Sequence, residues 1–71
     1  MTDRRFTIVE RAGYEGERDI TSFPRLNDAH SWMEASYTCF EMDSNHPDSL
    51  HVAIRQDWTD SDGNEQAEYV Y

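Results

Sequence analysis

Carboxylates are the side chains of this sequence whose number and spacing point most directly to chemistry. The 71 residues include 15 Asp and Glu against 6 Arg and no Lys, which gives a formal net charge of −9. Residues 1 to 25 contain five acids and five arginines, whereas from Leu26 onward ten acids accompany only Arg55. The whole excess of negative charge therefore belongs to the last two thirds of the sequence.

These acids have the spacing of a charged surface. Carboxylates three or four positions apart on a helix lie about 5 to 6 Å from one another, and alternate positions of a strand lie about 6.7 Å apart. Such rows can face the arginines and lysines that otherwise hold phosphates. The alternative is a solvated face that serves only solubility. The predicted partner-binding acids are Glu41, Asp43, Asp48, Asp57, Asp60, Asp62, Glu65 and Glu68.

The acidic stretch around Gly63 invites comparison with a calcium loop, in which a glycine occupies position six and carboxylates occupy positions one and twelve. Counting from Gly63 places Trp58 at position one and Tyr69 at position twelve. Neither side chain can supply the required carboxylate. The stretch is therefore interpreted as the acidic tip of a hairpin.

Cys39 and the histidines are the other reactive side chains. His46 and His51 have four residues between them, which is a zinc-like spacing, but no second cysteine accompanies Cys39. As a nucleophile Cys39 would need a neighbouring base and a cleft, and so short a chain can hardly enclose a substrate. We predict no metal, no cofactor and no enzymatic activity. The histidines are expected on the surface, with Cys39 as a small apolar filler on a helix.

Two hairpins and a helix are expected to position these groups. The first strand is predicted from Arg5 to Ala12, and the returning strand from Glu17 to Phe23, with a turn at residues 13–16 that contains two glycines. The register of this hairpin is open, because a bulge can shift Ile20 to either face of the sheet.

The helix is predicted from Asn27 to Met42, with Asn27 or Asp28 as its N-cap, because apolar residues recur there at three- and four-residue steps. The apolar stripe comprises Leu26, Ala29, Met33, Tyr37 and Phe40, with Trp32 beside it. A polar loop follows at residues 43–48.

The second hairpin has the clearest alternation of the chain. Its first strand contains Leu50, Val52, Ile54 and Trp58 as one apolar face, and its second runs from Gln66 to Tyr71. A two-residue turn at positions 62–63 sets Trp58 opposite Ala67, and one at positions 63–64 sets it opposite Tyr69. We prefer the second turn, since it avoids facing like charges across the strands. Both place Ala67, Tyr69 and Tyr71 on the face of Trp58.

The predicted fold is α+β: a four-stranded, mainly antiparallel sheet in ββαββ order, with one amphipathic helix packed on one face. Residues 1–71 are expected to form a single domain. No run of residues is apolar enough for a membrane span, and no secretory signal is evident, so a cytoplasmic location is expected. The lone cysteine fits a reducing compartment.

The acidity also bears on partners. Direct binding of nucleic acid or of an anionic membrane requires clustered Lys and Arg, so we expect neither. The predicted partner is a basic protein surface of a nucleic-acid-binding effector, approached through the acids of the second hairpin. Exposed aromatic residues, Tyr14 or Tyr71, would supply local anchors.

In length, charge and hairpin-helix-hairpin outline, the chain resembles the small acidic inhibitors encoded by phages and mobile elements, such as anti-CRISPR proteins and other DNA mimics. The resemblance implies a stoichiometric inhibitor that occupies the nucleic-acid-binding or partner-binding surface of a bacterial effector complex. It transfers no individual functional residue. The alternative is a small structural or assembly module of phage or bacterial origin that acts through a homodimer or through contacts of a sheet edge or sheet face.

Overall fold

The two hairpins and the helical segment between them form in the expected order. The computed structural model describes residues 4–43 and 45–71. Its elements are β1 (Arg5–Glu10), β2 (Arg18–Phe23), α1 (Leu26–Ser36), α2 (Cys39–Met42), β3 (Ala53–Thr59) and β4 (Glu65–Tyr69). The strands make one antiparallel sheet in the order β2-β1-β3-β4. The predicted α+β class and four-stranded antiparallel sheet are confirmed.

The first hairpin contains the bulge that the sequence left open. Ile8 pairs with Thr21 and Val9 pairs with Asp19, so Ile20 is the extra residue of β2. Despite the bulge, Ile20 packs against the core cluster. The strands are shorter than predicted, because the loop already begins at Arg11, whose φ of 57° ends the extended conformation.

The core lies between the sheet and α1. Four buried side chains form it: Ile8 from β1, Ile54 from β3, and Ala29 and Met33 from α1. Their burial removes apolar surface from water and is the main force that holds α1 on the sheet. The partly buried apolar residues packed around this cluster are Phe6, Ile20, Phe23, Trp32, Tyr37, Met42 and Val52.

The single helix predicted over residues 27–42 is wrong, because the chain leaves the helix at Tyr37 and Thr38. Tyr37 is extended with φ −123° and ψ 146°, and Thr38 with φ −75° and ψ 162°. Thr38 then caps α2 through a capping box, in which its hydroxyl accepts from the Glu41 amide while the Glu41 carboxylate accepts from the Thr38 amide. These reciprocal bonds satisfy two backbone donors that a helix start leaves free.

The predicted cap and apolar stripe of the helix need two corrections. The N-cap of α1 is Arg25, without a side-chain capping bond, and Asp28 lies in the first turn, where its charge favours the helix dipole. At the ends of the stripe, Leu26 and Phe40 are exposed. Cys39 is exposed too, so it is not the buried filler that the sequence suggested.

The register of the second hairpin also differs from both predicted alternatives. Trp58 pairs with Gln66, and Thr59 pairs with Glu65. The turn has three residues between Asp60 and Asn64, with the Gly63 amide donating to the Asp60 carbonyl and Gly63 at φ 83°. An odd-numbered turn of this kind is a common hairpin closure that needs glycine at the left-handed position. It reverses the alternation, so Ala67 and Tyr69 lie on the face opposite Trp58.

β3 begins at Ala53 and not at Leu50, because His51 has a φ of 49° that interrupts the extended chain. The segment before β3 is held by its backbone, since the Leu50 amide donates to the Glu41 carbonyl and the Leu50 carbonyl accepts from the Arg11 amide. Neither helix of the described residues has the length and apolar character needed to cross a bilayer.

Candidate functional site

The face of the sheet opposite α1 carries a polar network. Since Ile8 and Ile54 point toward the helix, their neighbours Thr7 and Arg55 point to the other face, where they are cross-strand partners. Arg55 is flanked on that face by Asp57 of its own strand and reaches Asp19 of β2. Thr7 is only 6% exposed, so these side chains cover the middle of the sheet.

Arg55 is the centre of this network and contacts two carboxylates. Its Nε donates to Asp57 Oδ1 at 2.8 Å and its Nη2 to Asp57 Oδ2 at 3.3 Å. Its Nη1 and Nη2 donate to the two Asp19 oxygens at 3.1 and 2.9 Å. The hydrogen bonds to Asp57 and then to Asp19 raise the pKa of the guanidinium further above its usual value. Both carboxylates are therefore held by charge-assisted hydrogen bonds, and the single positive charge of Arg55 offsets one of their two negative charges.

Tyr69 extends the network to the edge of the sheet. It pairs with Arg55 across the strands, and its hydroxyl donates to Glu17 Oε2 at 3.1 Å. Burial, followed by the hydrogen bond to Glu17, raises the pKa of Tyr69 above its usual value. Glu17 Oε2 also accepts from the Gly13 amide at 2.7 Å. The open face thus joins β4 to the first hairpin by side-chain bonds.

Two of the predicted binding acids of the second hairpin have structural partners. Asp57 is paired with Arg55 and accepts from the Thr7 hydroxyl at 3.1 Å. Asp60 holds its own turn, since Oδ1 accepts from the amides of Asp62 and Asn64, each at 2.9 Å. The Asn64 amide is the main cause that lowers the pKa of Asp60. These two carboxylates stabilise the hairpin that presents the other acids.

Glu41, Asp43 and Asp48 lie at the other end of β3. Glu41 belongs to the capping box of α2, and Asp43 Oδ1 accepts from the Asn45 amide at 3.0 Å. Asp48 lies 4.0 Å from His46 Nδ1 and is exposed. Seven residues of β3 separate this region from the hairpin turn, about 23 Å of extended chain. Physiological salt screens exposed charges beyond about 8 Å, so these acids and the hairpin tip act separately.

Three predicted acids remain together at the second hairpin. Asp62 lies in the turn, and Glu65 and Glu68 lie on β4, all of them exposed. Glu65 shares the open face with Asp57, whereas Glu68 pairs with Gln56 on the face of Trp58. Among residues 4–43 and 45–71, the ion pairs with arginine involve Glu10, Asp19 and Asp57 only. We call Asp62, Glu65 and Glu68 the hairpin acids.

A groove of about 620 Å³ lies beside the hairpin acids. It is lined by Arg5, Arg55, Asp57, Trp58, Thr59, Glu65, Gln66 and Ala67. On its Trp58 side the guanidinium of Arg4 lies 5.4 Å from the ring centroid, a cation–π contact. Two guanidinium groups, two carboxylates and an indole line the groove, which suits it to a polar or charged side chain of a partner.

The predicted aromatic anchors are both exposed, Tyr14 by 60% and Tyr71 by 61%. Tyr14 stacks on His51 with ring centroids 4.3 Å apart, and Tyr71 meets His30 edge-on at 4.8 Å. A smaller groove of about 370 Å³ lies at Tyr14 and His51. Within the part of the chain that the structure describes, no three His, Cys, Asp or Glu side chains group closely enough to hold a metal ion.

Sequence reasoning missed the role of Arg55. The sequence does contain one indication of its contact with Asp57: the two residues are two positions apart in a strand, which places both side chains on one face. Its bond to Asp19, 36 residues away, had no local signal. Comparison of the chain with protein-family models, with curated proteins and with solved structures finds no match.

Proposed function

We propose that this protein is a non-enzymatic inhibitor that binds a basic protein surface through the hairpin acids, in the manner of anti-CRISPR-type proteins and DNA mimics. The partner is a bacterial nucleic-acid-binding effector, and the protein acts in the cytoplasm. Binding occupies the surface that would otherwise hold phosphates, so inhibition is stoichiometric. The protein itself contacts neither nucleic acid nor membrane.

The observation that supports this proposal is that the arginine of the second half of the chain pairs with Asp19 and Asp57 and not with the hairpin acids. Arg55 is the only arginine after Leu26, and each nitrogen of its guanidinium donates to Asp19 or Asp57. None of these observed bonds goes to the hairpin acids. Asp62 lies in a turn whose backbone is fixed by Asp60, and Glu65 and Glu68 lie on the strand that follows it, so their charge is presented in a defined place.

A defined negative hairpin suits steering of a basic partner. Complementary charges at the rim of an interface raise the association rate and make it sensitive to salt. Because Glu65 and Glu68 lie on opposite faces of β4, the negative surface wraps the hairpin and does not form a flat plate. A partner that clasps the hairpin from its edge fits this distribution better than one that lies on a single face.

The test measures inhibition of purified bacterial effector complexes, including guide-loaded CRISPR complexes, as the loss of target-DNA binding in a mobility-shift titration. The hairpin variant D62N/E65Q/E68Q is compared with the matched variant D28N/E34Q/D43N, which removes three charges elsewhere. We expect roughly tenfold weaker inhibition from the hairpin variant and little change from the matched one. Asp57 and Asp60 are left intact because both stabilise the fold.

Added salt supplies the second measurement. Inhibition by the unmodified protein should weaken steeply between low and physiological ionic strength, and the hairpin variant should show a shallower dependence. If salt has no effect, or if both variants lose inhibition equally, the hairpin acids do not carry the binding and the proposal is wrong.

The second candidate is an assembly module, which the exposure of the chain's last residues favours. Val70 is 37% exposed and follows the exposed edge strand β4. An apolar sheet face is not the basis for it, because the network around Arg55 occupies the open face. Light scattering coupled to size-exclusion chromatography decides between the candidates, since a stable dimer at physiological salt supports assembly.

A further inference from the structure

We infer that the outer edge of β4 binds an extended, basic segment of the partner as a fifth strand of the sheet. This inference rests on the proposed function and specifies how the partner is held. The hairpin acids would then lie beside the added strand, and its backbone would pair with β4. The sequence argument treated the second hairpin only as a carrier of charge.

The pattern of hydrogen bonds between β3 and β4 determines which backbone groups of β4 face outward. The Val70 amide donates to the Ile54 carbonyl and the Asp60 amide to the Asn64 carbonyl, each at 2.9 Å. Because bonded pairs alternate along antiparallel strands, Gln66 and Glu68 direct their backbone groups toward β3. The amides and carbonyls of Glu65, Ala67 and Tyr69 therefore point to the edge, where strand addition would use them.

The two edge strands of the sheet differ in regularity, and a regular edge strand is the one that another strand can pair with. All five residues of β4 are exposed, and β4 pairs with β3 in continuous register. β2, at the opposite edge, contains the bulge at Ile20, which interrupts the regular ladder. Bulges twist and disrupt an edge and thereby discourage pairing with another chain. The regular edge is thus the one that carries the hairpin acids.

Charge selects the kind of strand that fits. Glu65 lies on the open face and Glu68 on the face of Trp58, three positions apart. Side chains directly opposite on neighbouring strands are about 4.5 to 5.5 Å apart, within reach of a charge pair. The complementary segment therefore has basic residues three positions apart, one on each face of the added strand. Asp62 lies in the turn that precedes Glu65, the first residue of β4.

A second copy of the chain fits this edge poorly. Antiparallel pairing of two β4 strands about Ala67 would set Glu65 opposite Tyr69 and Gln66 opposite Glu68, with no basic residue in either strand. It would also bring together two chains of net charge −9. Like charges across an interface oppose association, so the edge favours a basic strand over itself.

The experiment uses a synthetic seven-residue peptide with arginine at its first, fourth and seventh positions and valine or threonine between them. A control peptide has the same charges but carries proline at the central non-arginine positions, so it cannot pair as a strand. Binding is followed by amide hydrogen exchange and by NMR titration of the unmodified protein. We expect the amides of Ala67 and Tyr69 to become protected with the first peptide only, and its affinity to exceed that of the control about tenfold.

Protein variants separate backbone pairing from charge. Ala67→Pro removes an outward amide while leaving the β3 ladder intact, and proline is tolerated at such an edge position. We expect Ala67→Pro to reduce the affinity for the valine-containing peptide to that of the control peptide. The variant E65Q/E68Q should weaken the binding of both peptides. If Ala67→Pro does not fold, the exchange data on the unmodified protein still test the inference.

The outcomes distinguish the two proposals. Equal binding of both peptides without protection of Ala67 and Tyr69, together with weaker binding by E65Q/E68Q, overturns strand addition and leaves the charge-based function standing. Unchanged binding by E65Q/E68Q contradicts both proposals. Protection of the edge amides in the absence of peptide, at concentrations where a dimer forms, assigns the edge to a second copy and overturns the inference.

Discussion

Replacement of Arg55 by methionine should destabilise the protein by about 2 to 2.5 kcal/mol. Hydrogen bonds to charged groups contribute about 1.5 to 3 kcal/mol, and an exposed ion pair contributes about 0.2 to 1 kcal/mol. The side chains of Arg55 and Asp57 are 22% and 33% exposed, whereas Asp19 is 55% exposed. We therefore assign about 1.5 to 2 kcal/mol to the contact with Asp57 and about 0.5 kcal/mol to that with Asp19.

Urea unfolding followed by tryptophan fluorescence measures this change, because Trp32 and Trp58 lie on different elements. With a slope near 1 kcal/mol per molar urea, the midpoint should fall by about 2 M. Arg25→Met is the matched control, since it also changes the net charge from −9 to −10 but removes an exposed arginine at the start of α1. Its midpoint should shift by less than about 0.5 M.

A double-mutant cycle with Asp57→Asn isolates the contact. The coupling energy between positions 55 and 57 should be about 1 kcal/mol or more, because either change removes the ion pair between Arg55 and Asp57. Equal destabilisation by Arg55→Met and Arg25→Met, or a coupling energy near zero, would refute the assignment of Arg55 as the centre of the network. Net charge alone would then explain the loss.

Three further predictions concern single side chains. Burial and the hydrogen bond to Glu10 raise the pKa of Tyr37, so the unfolded chain deprotonates first and stability should fall above about pH 10; Tyr37→Phe should flatten this loss in urea midpoints measured from pH 8 to 11. Gly63→Ala should cost about 1 kcal/mol in thermal unfolding because of the positive φ, with Gly63→Asn costing less. Thr38→Ala should lower the free energy of unfolding by about 1 kcal/mol, and Thr38→Ser should change it little, because serine keeps the hydroxyl that accepts from the Glu41 amide. Equal destabilisation by the two changes in urea unfolding would contradict the capping role of the hydroxyl.

The alternation of apolar residues predicted most of the fold. β-Branched and aromatic runs around Ile8 and Ile54 define central strands, and the glycines at positions 13, 16 and 63 define the turns. The end of α1 was missed although Thr38 and Glu41 have the spacing of a capping box. The apolar period continued to Phe40, and local hydrogen bonding at Thr38 outweighed it.

The candidate site was less predictable than the fold. The face on which each residue of β4 lies depends on whether the turn has two or three residues, and the side chain of Asp60 decides that by binding the amides of Asp62 and Asn64. Similarly, Asp19 is paired through a contact with Arg55 that exists only once the two hairpins are side by side. Neither effect is visible in charge counts or in periodicity.

The strand order has a consequence for the order in which the chain folds. β1 and β3 are the inner pair of the sheet, yet β2, both helices and their loops separate them along the chain. Each hairpin can close through a short turn, whereas joining β1 to β3 first requires closure of a long loop at a larger entropic cost. We therefore expect docking of the two hairpins to limit the folding rate. The bonds between Arg55 and Asp19 span that seam and would form at this late step.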